Sequence, residues 1–452
     1  MTRAGARGSS AAPSPERRAA LALLRDVRRG LHADEAFARR SGALDRRQRH
    51  FLMELAYGAI RWRARLDHHL DALLPRGLDR LPDDVAAILE LGAYQLLFMD
   101  RVPPWSAVDE SVALVRAETP REVASWAAGL VNGVLRNLDR RRSGLPLPDP
   151  GDPAARLAVE HSHPLWLVER WLDRFGREAT EGLLIRDNAP PRLHLHANLL
   201  RATAPQVVAR LVEAGVAARL HELAPAIVVE SGAAPEELPG WDEGWFWAQD
   251  SGAQWVIAGA PPPAHATALD AFSAPGGKLA ALLSRPGAGP ALAVDRDPAR
   301  LALVAANAAR LGLAAARLVV ADARWLPTRA AFDFVLADVP CSGTGVLRRR
   351  VDARWRRRPE DVARFAGLQR ELLAAVAERV RPGGTLVYAT CSLEREENEG
   401  VIEPFLAVGE FRLAPLEESV PPELRSGPYL FTRPWLGDMD GMFAARLIRV
   451  AG

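Results

Sequence analysis

From Ser14 to about residue 140, apolar positions recur every three or four residues and never settle into alternation. Leu21, Leu24 and Val27 set the pattern behind Ser14-Pro15-Glu16, where Ser offers an N-cap and Pro a first helical residue; Gly30 ends the run. The same spacing predicts helices near 45–63, 65–74, 83–99, 106–117 and 121–138, and no segment between them reads as a strand. Residues 14–140 are therefore expected to be an all-helical domain. Residues 1–13 carry no such pattern and read as a disordered tail, while residues 141–153 (RRSGLPLPDPGDP) read as a Pro- and Gly-rich linker.

Beyond the linker the pattern changes twice. Residues 155–188 look helical, and from 191 to about 247 short β-like runs (LHLHANLL, AIVVE, WFWAQ) flank a helix, VVARLVEAG. Together 154–247 form a helical segment followed by a small α+β unit. From 248 to 452 strand-like runs (ATALDAF, ALAVDRD, RLVVADA, FDFVLADVP, GTLVYATCS, MFAARLIRV) alternate with helical segments at 278–284, 298–311, 360–380 and 395–407. That alternation predicts an α/β domain with a mostly parallel, doubly wound sheet.

Composition changes this picture only in places. A hydrophobic fraction of 48% supports packed cores, and two cysteines in 452 residues exclude a disulfide framework or a four-cysteine zinc site. No metal site is expected. The start has charge but no apolar centre, so it is not a signal peptide, and no apolar run is long enough to span a bilayer. A soluble, cytoplasmic protein is expected. Basic residues are almost all Arg, Lys278 being the single lysine, so a position that kept Lys is informative. Net charge is +2, but residues 1–65 hold 15 Arg against 6 acids, and RRRVDARWRRR (348–358) holds seven Arg against one Asp. Arg348, Arg349, Arg350, Arg354 and Arg356 are therefore candidates for phosphate contact, and Trp355 for stacking on a base or for packing.

Chemistry gathers at the strand ends. The first strand of the α/β domain runs into Asp270-Ala-Phe272-Ser273-Ala274-Pro275-Gly276-Gly277-Lys278, where two glycines let a ligand approach the backbone. This is neither a P-loop nor a GxGxxG turn. The next strands end at Asp295, suited to ribose hydroxyls, at Asp322, suited to an adenine amino group, and at Asp338. A glycine loop followed by acids at successive strand ends is the pattern of an adenosyl-cofactor site. Cys341 and Cys391 then follow the fourth and fifth strands. Carbon 5 of a pyrimidine becomes nucleophilic once a thiolate adds to carbon 6, and an acid such as Asp338 can stabilise charge on the N3 and O2 edge. Either thiol could attack on this reading. A cysteine hydrolase would need a histidine partner, and none of the ten lies beyond His265.

The stretches DAFSAPGGK, VDRD, ADAR, ADVPCSGTGVLRRRVDARWRRR, YATCSLEREENEGVI and DGMFAARL resemble successive motifs of the Nol/Nop/Sun family of RNA cytosine-5 methyltransferases. The helical domain, with GAIRWRARLD and GLVNGVLRN, is similar to the RNA-binding factor NusB. The resemblance implies a Rossmann-like class I methyltransferase domain, S-adenosylmethionine as cofactor, and a structured RNA whose target base is flipped out. The fusion points to small-subunit ribosomal RNA rather than transfer RNA; a monomer is expected by default. It further implies that Cys391 attacks carbon 6, that Cys341 resolves the adduct, and that Asp338 contacts the base beside Lys278. Residues 272–278, Asp295, Asp322 and Asp338 would form the cofactor site. The family's CAAPGGKT and Asp-Ala-Pro-Cys appear here with Phe272, Ser273, Leu279 and Val339, departures that bear on cofactor affinity. A non-catalytic RNA assembly factor would be expected to have lost Lys278, an acid or a cysteine, and none is missing.

Overall fold

The computed structural model describes residues 12–149, 151–230, 232–326 and 328–450, which divide into two compact units. The expected tail lies almost wholly outside the described residues. The first unit is helical: α1 (Pro15–Arg28), α2 (Ala33–Ser41), α3 (Arg46–Arg61), α4 (Arg63–Asp71), α5 (Asp83–Phe98), α6 (Pro104–Glu118) and α7 (Arg121–Arg141). Helix α5 is buried on nearly every side, so it is the axis around which α1, α3, α6 and α7 lay their apolar faces. Ser14 does sit at the N-cap of α1, but its hydroxyl accepts from Arg17 Nη1 (3.1 Å) instead of capping the backbone. The capping box is at α3, between Asp45 and Gln48.

Two findings depart from the expected domain limits. Helices α8 (Pro153–Glu160), α9 (Leu165–Phe175) and α10 (Arg177–Asn188) pack with the helices before the linker, so the first compact unit runs on to Asn188. The physical reason is local: the Ala64 N–H at the start of α4 donates to the Ser162 hydroxyl (3.0 Å) between α8 and α9. Residues 350–356 also belong to this unit, where Val351 is fully buried in its core.

The second unit begins with a four-stranded antiparallel sheet, β1 (Leu193–Ala197), β2 (Ala218–Leu220), β3 (Ile227–Val229) and β4 (Phe246–Ala248), in the order β2-β3-β1-β4. Helix α11 (Ala204–Glu213) covers it through Val207 and Leu211. A helix the sequence pattern did not single out, α12 (Ser251–Ala258), leads into the larger sheet.

That sheet holds β5 (Ala268–Asp270), β6 (Ala291–Asp295), β7 (Ala316–Val320), β8 (Phe332–Asp338), β9 (Val380–Thr390), β10 (Phe411–Leu413), β11 (Arg425–Ser426), β12 (Tyr429–Phe431) and β13 (Phe443–Arg449). Its order is β11-β12-β13-β9-β8-β5-β6-β7, with β10 beside β13. Strands β5 to β9 are parallel and β13 returns antiparallel to β9. Helices α13 (Gly277–Leu283) and α14 (Pro298–Leu311) follow β5 and β6. The strand order reverses between β5 and β8, and such a switch point opens a crevice at the carboxyl ends of the strands. Asp270 and Asp338 stand at its two sides. Among the described residues no helix is long and apolar enough to cross a membrane.

Candidate active site

The loop after β5 turns through Gly276, whose φ of 101° is a left-handed conformation that favours glycine. A Cβ there would lie 3.2 Å from Val304 Cγ1 on α14, so the turn is tight against its neighbour as well. Asp295 at the end of β6 closes the loop from the far side, accepting the N–H of Ala274 (3.2 Å) and of Asp297 (3.0 Å). Asp322 follows β7 and caps a short turn, accepting the Arg324 N–H (3.0 Å) and pairing with its guanidinium (2.7 Å), which holds its carboxyl below the usual range.

Asp270 is buried, and the favourable groups beside its carboxylate are the Ser273 hydroxyl and the Phe272 N–H of the same loop. Burial pushes the Asp270 carboxyl up to about 7, and the nearby Asp338 charge adds to this. Buried polar side chains in a glycine-containing loop, with acids at the following strand ends, fit a polar nucleoside-bearing ligand. Ser273, Leu279 and Val339 are buried, so these departures from the family pattern face the interior.

Lys278, one residue into α13, reaches Asp338 at the end of β8 with Nζ to Oδ2 2.6 Å. Burial works against the Lys278 charge, but Asp338 outweighs it, with Cys391 and Asp270 adding further attraction. The pair therefore puts a desolvated ammonium beside the cysteines. Cys341 Sγ and Cys391 Sγ are 3.2 Å apart, brought together because β8 and β9 are neighbours and each thiol follows its strand end. The hydrogen bond to Cys391 holds the Cys341 thiol well above its usual range, and burial acts in the same direction.

The backbone around the thiols is fixed by close packing. Gly345 donates to the Cys391 carbonyl (2.9 Å) and accepts from Gly441 (2.8 Å), and a Cβ on it would lie 2.2 Å from the Gly441 carbonyl oxygen. Beneath them lies a polar network that sequence reasoning quoted within YATCSLEREENEGVI but gave no role. The Glu397 carboxylate accepts from the Ser342 N–H, the Ser392 hydroxyl and the Gln369 side chain. Asn398 holds the Thr390 hydroxyl (2.6 Å) and the Ser392 carbonyl (2.9 Å).

The arginines expected to meet phosphate have mostly other partners. Arg348 is buried and paired with Asp438, and Arg349 bonds Asp250 (2.8 Å) and Asp440 (2.9 Å). Arg354 is fully buried in the first unit, donating to the carbonyls of Ser162 (3.0 Å) and Asp187 (3.1 Å) and to Asn188 Oδ1 (2.9 Å). Arg356 pairs with Asp352 (3.3 Å), and Arg350 alone of the five is exposed. For Arg348 and Arg354 the phosphate expectation is corrected: a guanidinium sealed among carboxylates or carbonyls presents no donor to a ligand. Trp355 packs, its indole N–H on the Ile60 carbonyl (2.6 Å). His194 of β1, which drew no attention in the sequence, joins this carboxylate cluster between Asp250 (3.4 Å) and Asp438 (3.7 Å). Burial opposes its charge, yet the two acids raise its pKa.

Comparison with known proteins agrees with this architecture. Residues 259–448 match the family described as 16S rRNA methyltransferase RsmB/F, residues 14–140 the NusB family, and residues 163–234 the ferredoxin-like domain of RsmF/B-like methyltransferases. A protein of Synechocystis sp. named a probable ribosomal RNA small subunit methyltransferase B is 35% identical, over 95% of this chain and 98% of its own. The ribosomal RNA small subunit methyltransferase B of Escherichia coli is 36% identical, over 88% and 90%. A solved methyltransferase homologue from Pyrococcus horikoshii is 25% identical with a TM-score of 0.57, over 67% of this chain and 100% of that one. With relatives of such identity along nearly its whole length, this chain belongs to the family of the ribosomal RNA small subunit methyltransferase B.

Proposed function

We propose that this enzyme methylates carbon 5 of a cytosine in small-subunit ribosomal RNA, with Cys391 adding to carbon 6 of the base. Membership of a methyltransferase family makes S-adenosylmethionine its cofactor, and the relatives' names supply the RNA class. The observation that carries the chemistry is the pair of sulfurs 3.2 Å apart at adjacent strand ends, beside the Lys278–Asp338 pair. Two thiols at one base are superfluous for transfer to a nitrogen or a ribose oxygen, whereas attack at carbon 5 needs one to form an adduct and a second group to help undo it.

The loop 272–278 with Asp295, Asp322 and Asp338 would hold the cofactor. When bound, the cofactor supplies an electrophilic methyl group. The Cys391 thiolate adds to carbon 6 and sends the electron pair of the C5–C6 double bond toward carbon 5. Asp338 contacts the base and holds the Lys278 ammonium, which supplies the positive charge that offsets the negative charge gathering on the pyrimidine in a desolvated setting. Once carbon 5 carries the methyl, its hydrogen passes as a proton to a base, the role for which Cys341 is placed, while the double bond re-forms and Cys391 departs as thiolate.

Transfer of labelled methyl to ribosomal RNA, with bisulfite sequencing of the product, tests this. Cys391→Ala should abolish transfer, and Cys341→Ala should leave protein covalently bound to RNA. An active Cys341→Ala together with adduct accumulating in Cys391→Ala would reverse the two assignments.

A further inference from the structure

Two thiols in van der Waals contact compete for the same base, so something must decide which attacks. We propose that Glu397 makes that decision: its buried carboxylate locks the two cysteine loops together and sets its negative charge on the Cys341 side, leaving attack to Cys391. This rests on the reading above in which Cys391 is the nucleophile.

The geometry is asymmetric. Glu397 is fully buried. Its Oε2 accepts the N–H of Ser342, the residue after Cys341 (2.8 Å), and the Gln369 amide (2.9 Å), which also donates to the carbonyl of Pro340, the residue before Cys341 (3.0 Å). Its Oε1 accepts the hydroxyl of Ser392, the residue after Cys391 (2.7 Å), and Ser392 Oγ lies 3.1 Å from Ser342 Oγ. The Tyr388 hydroxyl, on β9, donates to the Glu397 carbonyl (2.6 Å) and pins its backbone. One carboxylate thus fixes the register of both loops, with its more heavily bonded oxygen on the backbone of the Cys341 loop.

Charge acts in the same sense: after the Cys391 hydrogen bond and burial, Glu397 further disfavours a thiolate at Cys341, and Lys278 interacts favourably with Cys391. The other groups facing the pair are Asp338, matched to Lys278, Tyr388, whose hydroxyl burial keeps neutral, and Arg357, whose guanidinium donates to the Ser342 carbonyl (2.7 Å) and sets a positive charge against Glu397 on the Cys341 loop. Burial raises the Glu397 carboxyl above its ordinary range, and the donors converging on its oxygens offset only part of that rise.

The test needs no RNA. The full-length protein is alkylated with iodoacetamide across a pH series, and each cysteine is quantified by peptide mass spectrometry. In the wild type Cys391 should react at lower pH than Cys341. Glu397→Gln, nearly isosteric and uncharged, should move the Cys341 profile to lower pH and raise its labelling relative to Cys391 by about tenfold, as a change of about one pKa unit would. Glu397→Asp keeps the charge and should preserve the wild-type order. An unchanged ratio in Glu397→Gln, or an order lost equally in Glu397→Asp, would overturn the proposal. If instead Cys341 is already the more reactive thiol in the wild type, it is the nucleophile assignment that fails.

Discussion

Asp270 and Lys278 open and close the same loop; Asp270 is buried and Lys278 mostly so, yet only Lys278 has an opposite charge against it. The carboxyl without a counter-charge is the more expensive arrangement, and its effect on stability has a definite sign. Its folded pKa of about 7 lies above the unfolded value, so the folded state binds more protons across that interval. Its contribution is therefore fully present at about pH 4 and below, and is lost as pH rises through 7. Asp270→Asn should gain on the wild type between pH 4 and pH 8, by on the order of 2–4 kcal/mol in denaturant midpoints. Parallel stability curves for the two proteins would contradict this. Arg354 offers the opposite case, a buried cation whose two terminal nitrogens are directed at backbone or amide oxygens. Arg354→Met should cost about 2–4 kcal/mol, because the carbonyls it serves are left unpaired. Arg350→Ala, at an exposed position, should stay within about 0.5 kcal/mol. Equal losses in urea titrations would refute the distinction. The same two residues show what a sequence conceals. Arg348 to Arg358 reads as one basic run, because charge is written in the sequence and burial is not.

At the level of elements, the strand ends were the legible part. Asp270, Asp295 and Asp338 stand at the carboxyl ends of β5, β6 and β8, and Cys341 and Cys391 follow β8 and β9, because a strand-to-helix turn leaves a local trace in glycine, acid and thiol spacing. Helix α12 and the strands β10, β11 and β12 left a fainter trace, being short and defined by their neighbours more than by period. The clamp made by Glu397, Gln369 and Asn398 was invisible for a different reason. Its members come from separate segments, and only the folded chain brings Gln369 to Pro340 and Ser342 to Ser392. Gly345 shows how finely those loops are set, since its backbone is bonded to both Cys391 and Gly441. Gly345→Ala puts a methyl group 2.2 Å from the Gly441 carbonyl oxygen, so the Cys341 loop has to shift. A displacement of about 1 Å at reacting groups costs on the order of a hundredfold in rate. The variant should lose methyl transfer to that extent, and a wild-type rate would show that the loops are not held in register by this contact.

Over the whole molecule, helical periodicity in the first 140 residues and alternation after 248 were enough to give the class of each region. The division between the units was not readable. Residues 153–188 follow a linker yet join the helical unit, and residues 350–356 join it from within the α/β sequence. Such assignments depend on contacts that only folding brings together, Ser162 with Ala64, Arg354 with Ser162 and Asp187, and Trp355 with Ile60, which no local pattern announces. What unites the chain's chemistry is the claim that one thiol bonds to the RNA base while the other helps release it. The most direct measurement is to incubate Cys341→Ala with small-subunit ribosomal RNA and S-adenosylmethionine, digest the trapped adduct, and locate the nucleotide by mass spectrometry. The expected result is a methylated cytosine joined to Cys391; a protein that turns over freely without an adduct, or an adduct on any other residue, would contradict it.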